Sequence, residues 1–332
     1  MVVALLCVAA CTASSEDRPR GGDGDNGVEA SSACPRPHFD DVAGPVPSYA
    51  DKELARFAND DALCRGLWLP FADEWFVPQG LAVDGRTAWV SGYRWRKAYG
   101  DRPCRLLRVD LRTGKLLAST SWLTGSVGER RSTFCRHGGA LSLDRHGLWL
   151  AEADRLWLVD PARVGTPRQV LRVWRTQRPV KGSAMVDGSS KELALVSFAD
   201  GGPGRSRWYS YADLLAPGVT NVVAGRAASP GEVGPTRTTP AVRRVQGTTR
   251  GPGGVWSTSS TSSCGMLISP TGRRVAFAPG AEDLEFDRSG RLWAVLESGA
   301  RTYQRDGRPL VPMLARFDVR RLLDGEPESC SW

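Results

Sequence analysis

Short apolar runs alternate with polar positions along most of the chain, and the alternation recurs as one repeated unit. Each unit has a short apolar strand, a turn with Asp or Gly, and a second strand that usually carries Trp or another large apolar residue. An alternation of period two predicts half-buried strands, and Asp and Gly favour the tight turn of a hairpin. The units occupy residues 80–93, 139–160, 183–198, 248–260 and 283–298, with turns at Asp84, Asp144, Asp187, Gly251 and Asp287.

Further strand-like runs follow the repeated units, at 104–123, 156–174, 207–215 and 313–323. Four strands in a unit, repeated along the chain, are typical of a propeller blade. We therefore predict an all-β fold, a β-propeller of five or six four-stranded blades. The last unit lacks its outermost strand, and the segment 66–70 can supply it. The ring is then closed by an N-terminal strand, which removes an open sheet edge.

The N-terminus predicts export. Residues 1–10, MVVALLCVAA, are an apolar run too short to span a bilayer. Val8-Ala9-Ala10-Cys11 resembles the lipobox of bacterial lipoproteins, which implies that Cys11 carries a lipid and anchors the protein to the outer face of the cell membrane. The alternative is a secreted protein cleaved nearby. We predict a signal peptide with lipobox at 1–11, a flexible tether at 12–33, an N-terminal extension at 34–65 and the propeller domain at 66–332.

The charge of the chain adds little to this picture. Its 332 residues have a formal net charge of +8 at pH 7, with basic residues scattered singly or in pairs. No basic stripe alternates with aromatic side chains, which is the pattern typical of nucleic-acid binding. We expect a monomer with no nucleic-acid partner, in contact with the membrane through the lipid anchor only.

Six of the eight cysteines follow Cys11, and no two of them form a CxxC pair. An even number in an exported chain predicts three disulfides rather than a metal site. Cys104 begins a third strand and Cys135 precedes an inner strand, so we predict that they pair. A Cys64–Cys330 bond would staple the ring shut and leave Cys34 with Cys264. The competing set, Cys34–Cys64 with Cys264–Cys330, stays open.

The turn D-x-x-G-x-L/V-W, as in Asp287–Trp293, resembles that of a group of propellers with gluconolactonases, strictosidine synthases and NHL-like proteins. The resemblance covers the region 66–325. In the gluconolactonase-like members, a Glu at the start of an inner strand helps to hold a divalent cation. Here Gln79 stands at that position, and Glu282 alone offers too few oxygens. We therefore predict no cofactor and no metal site, and a divalent cation is the alternative.

Polar residues precede the predicted inner strands, where several loops of a propeller meet at the mouth of the central channel. The segment 297–310 adds a carboxylate, a guanidinium and a phenol. We predict that these residues form a ligand-binding ring at the mouth: Gln79, His137, Lys181, Gln246, Glu282, Glu297, Arg301 and Tyr303.

Two functions fit this ring. The first is a non-catalytic lipoprotein whose propeller binds a small molecule or an envelope protein at its channel face. A scaffold that binds through blade edges has the same sequence features. The second is an extracellular hydrolase or lyase, lactonase-like, in which His137 is a general base and Glu282 or Glu297 its partner, an arrangement similar to that of streptogramin lyases. No catalytic set is evident in the sequence, which favours the binding protein.

Overall fold

A computed structural model describes residues 34–51, 53–95, 102–129, 132–152, 154–180, 182–189, 191–305, 307–328 and 330. The predicted signal peptide, lipidated Cys11 and tether lie outside the described residues, as does Lys181. Cys34 to Trp332 form one compact unit.

Four antiparallel sheets have four strands each and are called blades A to D. Blade A consists of β2 (Phe76–Asp84), β3 (Thr87–Arg94), β4 (Cys104–Asp110) and β5 (Leu116–Thr120). Blade B consists of β12 (Gly182–Ser189), β13 (Glu192–Ser197), β14 (Gly204–Ser210) and β17 (Arg237–Ala241). Blade C consists of β18 (Val245–Gly251), β19 (Gly254–Thr261), β20 (Cys264–Ile268) and β21 (Arg274–Phe277). Blade D consists of β22 (Ala281–Phe286), β23 (Leu292–Leu296), β24 (Leu314–Phe317) and β1 (Leu63–Leu67).

A further sheet between blades A and B has six strands. It consists of β8 (Leu141–Asp144), β9 (Gly147–Ala151), β10 (Arg155–Val159), β11 (Val170–Thr176), β15 (Asn221–Val222) and β16 (Glu232–Val233). Its last two strands run parallel to β11. The Arg172 guanidinium holds the start of this added segment by donating to the carbonyls of Leu215, Ala216 and Val219.

The predicted count of five or six four-stranded blades is therefore wrong, because the described residues form four such blades. The remaining sheet begins with the same four-stranded antiparallel order and is then widened by the segment that follows helix α1 (Tyr211–Leu214). That segment is rich in Gly and Pro, which favour loops, and its two short strands have too few residues to show an alternation in the sequence.

The sheets surround one axis. Their inner strands β2, β8, β12, β18 and β22 contact each other in this order, and β22 contacts β2 again. Apolar side chains fill the space between each pair of neighbouring sheets. Trp89 of blade A and Trp157 of the six-stranded sheet belong to one such layer. Trp149 and Trp174 stack in the next layer, with ring centroids 5.4 Å apart. These buried layers account for the tryptophans of the repeat.

The N-terminal strand β1 completes blade D. It pairs antiparallel with β24, from Leu63 opposite Phe317 to Leu67 opposite Leu314. Both leucines of β1 are fully buried, because they lie on the apolar faces of the blade. This confirms the predicted closure by an N-terminal strand, although the strand begins at Leu63 rather than at Gly66.

The remaining described elements are short. A hairpin of β6 (Thr124–Ser126) and β7 (Ser132–Phe134) lies outside the blades. Two more helical segments are α2 (Arg301–Gln304) and α3 (Val319–Asp324). Single 3-10 turns occur at Phe39–Asp41, Asp60–Ala62, Ala72–Glu74, Pro161–Arg163 and Glu297–Gly299. In the described part of the chain, no helix has the length and apolarity needed to cross a membrane.

The described part of the chain contains three disulfides. The predicted Cys104–Cys135 pair is confirmed, and it joins the start of β4 to the residue after β7. The other two bonds are Cys34–Cys64 and Cys264–Cys330, so the alternative left open is correct, and the Cys64–Cys330 and Cys34–Cys264 pairs are wrong. The reason is the course of the two chain ends. Cys34 lies beside Cys64 of the outer strand β1. The C-terminal tail lies beside β21, where Pro327 forms a bridge with Val275.

Candidate functional site

Three of the predicted mouth residues lie at β-bulges, each near the start of its own inner strand. The strand register skips one residue at Gln79 in β2, at Gln246 in β18 and at Glu282 in β22. A bulge leaves one residue unpaired and redirects its side chain, which is why bulges are common beside functional sites. In blade B the skipped residue is Ser183, two positions after the predicted Lys181.

His137 reaches the mouth in a different way. It lies before the inner strand β8, in the left-handed region with φ of 72°, and its imidazole stacks on the Tyr93 ring with centroids 4.5 Å apart. The pairing of β8 with β9 has no register shift, and Gly139 before it packs against β2, since a Cβ on Gly80 would overlap its carbonyl oxygen. The histidine therefore lines the mouth from a loop and does not belong to the ring of bulge residues.

Hydrogen bonds join five of the predicted residues into one cluster around Glu297. Gln79 Nε2 donates to the Glu297 carboxylate over 3.1 Å, and the Tyr303 hydroxyl donates to the same oxygen over 2.9 Å. Glu282 forms a side-chain hydrogen bond with Glu297. Gln246 Nε2 donates to Glu282 over 3.3 Å. We call these five residues the carboxyl cluster.

The two glutamates of the carboxyl cluster share a proton. Burial raises the pKa of Glu282 well above its usual range, and the neighbouring Glu297 charge raises it further. Burial also raises the pKa of Glu297, but the donors Tyr303 and Gln79 oppose this shift. Two adjacent buried carboxyls cannot both be ionised at low cost. Glu282 is therefore the protonated member of the pair, and its O–H donates a hydrogen bond to the Glu297 carboxylate.

Arg301 is not brought into the carboxyl cluster. Its guanidinium donates to the carbonyl of Asp73 over 3.1 Å and lies 5.0 Å from the centre of the Trp75 ring. Residues two apart on a helical turn point about 200° apart, so α2 directs Tyr303 inward and Arg301 outward.

A second buried carboxyl, Asp283, lies next to the cluster on the channel axis. Its carboxylate accepts from the backbone N–H of Leu81 in β2 over 2.9 Å and of Leu141 in β8 over 3.2 Å. It also accepts from the N–H groups of Thr248 and Leu284. Burial raises the pKa of Asp283 to about 8, and these donors oppose the shift. One side chain therefore connects four inner strands, a role that the sequence analysis missed.

A cavity of about 700 Å³ opens beside the carboxyl cluster, and we call it the mouth cavity. Gln79, His137, Gln246 and Glu282 line one side of it. Three arginines that the sequence analysis missed line it as well, namely Arg178, Arg205 and Arg207. The apolar part of the wall comes from Pro179, Phe198, Ala199 and Pro203, and the Phe198 side chain is 46% exposed.

The carboxyl groups of the mouth cavity carry little free negative charge. Glu152 is buried, forms an ion pair with Arg155 over 2.6 Å and accepts the backbone N–H of Arg136 over 2.7 Å. Burial, and then the neighbouring Glu297 charge, raise the pKa of Glu282, which favours its neutral form. The guanidiniums of Arg178 and Arg205 are exposed, and no carboxylate of the described residues pairs with either. The cavity therefore presents positive charge.

No protein family matches this chain. No curated protein matches it either. Among solved structures, a putative oxidoreductase (glucose dehydrogenase) from Thermus thermophilus has a TM-score of 0.38 and 14% identity, over 71% of this chain and 81% of that one. A nidogen/laminin complex has a TM-score of 0.35 and 11% identity, over 74% and 75%. A GH43 β-1,3-galactosidase has a TM-score of 0.41 and 9% identity, over 75% and 57%. The fold assignment therefore depends on the strand pairing described above. The activities named for the three solved structures are those of the three proteins themselves.

The described residues offer little to a metal ion. Nowhere in the described ranges do three side chains of His, Cys, Asp or Glu come together as metal ligands would. The oxygens of the Glu297 carboxylate are already used by Gln79, Tyr303 and Glu282. Polar groups of the mouth are thus already joined to one another by hydrogen bonds.

The buried carboxyls predict how stability depends on pH. A carboxyl with a raised folded pKa contributes stability that is fully present below its unfolded pKa, near 4, and is lost as the pH rises through the folded value. For Asp283 that window ends at about 8. We expect Glu282→Gln to reduce the loss of stability between about pH 5 and pH 8, because one raised carboxyl no longer ionises. Thermal denaturation followed by circular dichroism at both pH values measures this.

Asp110→Asn is the matched control for this prediction. Asp110 is exposed, and hydrogen bonds from Thr113 lower its pKa, so its contribution is lost only below about pH 4. The control should keep the wild-type difference between the two pH values. An unchanged difference in Glu282→Gln would contradict the assignment of the shared proton to Glu282.

Proposed function

We propose that the protein is an exported binding protein that holds a small anionic ligand in the mouth cavity. The observation that carries the proposal is the charge of that cavity. Three guanidiniums line it, and Arg207 among them is buried and donates to the Pro179 carbonyl and the Ser197 hydroxyl. Of the glutamates that line it, Glu152 is held in an ion pair and Glu282 has a raised pKa that favours its neutral form, while the charge of the pair lies on Glu297, outside the lining. Guanidiniums recognise carboxylate and phosphate groups through paired, charge-assisted hydrogen bonds.

The other wall of the mouth cavity can bind the polar, uncharged part of a ligand next to its anionic group. The Gln79 and Gln246 amides and the protonated Glu282 offer donors and acceptors in fixed positions, because each is held by a hydrogen bond within the carboxyl cluster. Phe198 and the prolines supply apolar contact. A cavity of this volume with a few convergent polar groups is typical of a small-molecule site. A sugar acid or sugar phosphate has the matching chemistry.

Export and anchoring belong to the same proposal. Three disulfides are typical of proteins that fold in an oxidising, extracytoplasmic compartment. The lipobox-like Val8–Cys11 supports lipidation at Cys11, followed by the tether 12–33. Mass spectrometry of the membrane fraction of a bacterial host tests this step. A diacylated N-terminal Cys11 peptide is expected, and an unmodified chain that starts before Cys11 would contradict it.

Ligand binding is tested with glucuronate, glucose 6-phosphate and glucose by calorimetry. The two anions should bind and the neutral sugar should not, because only the anions can pair with the guanidiniums. Arg205→Gln should weaken anion binding about tenfold, which is the range for a hydrogen bond to a charged group. Arg168→Gln is the matched control, since Arg168 is exposed in the loop between β10 and β11 and does not line the mouth cavity. Equal binding of glucose, or no binding of either anion, would refute the proposal.

A second candidate is hydrolysis or lyase chemistry in the same cavity. It is favoured by one observation, the protonated Glu282 beside the Glu297 carboxylate, since such a pair can provide a general acid. His137 lines the same cavity. Turnover of chromogenic lactones and glycosides that is abolished by Glu282→Gln would favour this candidate. Anion binding without turnover favours the binding protein.

A further inference from the structure

A second cavity of about 760 Å³ lies beside the mouth cavity, and we call it the side cavity. Strands β10, β11 and β15 of the six-stranded sheet line it together with Val127 and Thr133 near the β6–β7 hairpin. Its polar residues are Asp154, Arg155, Arg175, Thr176, Gln177, Arg178 and Asn221. Arg178 lines both cavities.

The side cavity also presents positive charge. Asp154 forms an ion pair with Arg136 over 3.3 Å, and Arg155 forms one with Glu152 over 2.6 Å. The guanidiniums of Arg175 and Arg178 are exposed, and no carboxylate within the described ranges pairs with them. Two cationic groups therefore remain for an anion.

A buried hydroxyl in the same wall lacks a partner. The Thr176 side chain is on the last residue of β11, the residue is 8% exposed, and its Oγ1 forms no hydrogen bond with any described residue. Buried polar groups are almost always satisfied, and an exception calls for an explanation such as a ligand. The amide side chains of Gln177 and Asn221 add further donors and acceptors.

We propose that the side cavity is a second anion subsite and that Arg178 joins it to the mouth cavity. The ligand is then elongated, with carboxylate or phosphate groups spaced along it. One group pairs with Arg205 and Arg207 in the mouth cavity, and another pairs with Arg175 beside Thr176. This inference rests on the proposed function of the mouth cavity and extends it to the size and charge spacing of the ligand.

The test uses two series of probes of increasing length, galacturonate oligomers for carboxylates and linear phosphate oligomers for phosphates. Affinity should rise with length in the wild type for the series that has the correct anion. Arg175→Gln should remove this rise, so that affinity for the longer probes falls about tenfold. Its affinity for galacturonate or orthophosphate should be unchanged. Arg205→Gln should weaken binding of short and long probes alike.

Thr176→Val provides a second variant of nearly equal shape. Since its hydroxyl has no partner among the described residues, the unliganded melting temperature should be unchanged or higher. Affinity for the longer probes should fall. A lower melting temperature without ligand would show that the hydroxyl already has a partner, and would overturn its role in the subsite.

The outcomes separate the two proposals. Long probes that bind Arg175→Gln as tightly as the wild type, but bind Arg205→Gln weakly, overturn the side cavity and leave the mouth cavity as the binding site. An equal loss for short and long probes in Arg175→Gln also overturns the second subsite. An equal loss in Arg168→Gln shows general charge attraction and overturns it as well. Failure of every probe to bind the wild type refutes both proposals.

Discussion

Asp283→Ala is expected to lower the free energy of unfolding by about 4 kcal/mol, because the substitution leaves several buried N–H groups without an acceptor, at about 1 to 3 kcal/mol each. These groups belong to Leu81, Leu141, Thr248 and Leu284, on four different inner strands. The Asp283 side chain is 1% exposed, so water cannot easily replace it. Urea denaturation followed by tryptophan fluorescence measures the change.

Asp110→Ala is the matched control for this substitution. The Asp110 carboxylate also accepts two backbone N–H groups, from Arg112 and Thr113, but it does so at the surface. Water can satisfy those donors after the substitution, so we expect a much smaller loss of stability. Equal losses in the two variants would contradict the prediction that the buried position of Asp283 makes its hydrogen bonds contribute more to the free energy of unfolding.

Removal of residues 1–67 is expected to abolish cooperative folding. The deletion removes β1, so that the edge of β24 loses its partner and the apolar layers lose Leu63 and Leu67. An exposed apolar edge strand promotes association. Cys34 and Cys64 are removed together, so no unpaired thiol is left. Thermal denaturation and size-exclusion chromatography of the shortened chain measure the effect.

The matched control is a chain that begins at Cys34. It keeps the N-terminal extension, the Cys34–Cys64 bond and β1, and it should give one sharp thermal transition. A sharp transition at the same temperature in the chain that begins at Trp68 would contradict the closure of the ring by β1.

Much of the fold could be predicted from the sequence because the repeated unit is local. An apolar strand, a turn with Asp or Gly and a strand with Trp can be recognised within about fifteen residues, without knowledge of the rest of the chain. The missing outer strand of the last unit followed from the same repeat. The Cys104–Cys135 pair was predictable because both residues lie at strand ends on one side of neighbouring sheets.

The widened sheet and the other disulfides could not be predicted in this way. Strands β15 and β16 have two residues each, and their position depends on contacts between distant parts of the chain, such as the docking of Arg172 onto the segment after α1. The course of the two chain ends decides between the alternative cysteine pairs. Neither end contains the repeated unit, so its course could not be predicted from the repeat.

The candidate site was predictable where it follows the repeat. Gln79, Gln246 and Glu282 precede corresponding strands, and the bulges give them corresponding positions. Arg178, Arg205 and Arg207 were missed because arginine occurs throughout the chain, so that residue type alone does not distinguish the three that meet at the cavity. A useful signal was their position before β12 and at the start of β14, beside the predicted mouth.

The pairing of β1 with β24 has a consequence for biosynthesis. The first strand of the described residues has its partner near the end of them, so the ring stays open until that late part of the polypeptide has been synthesised. Contacts between such distant parts of a chain form slowly, since a long loop must close first. If the chain crosses a membrane through a narrow pore, this late step keeps it unfolded during transit and delays its final structure until it reaches the other side.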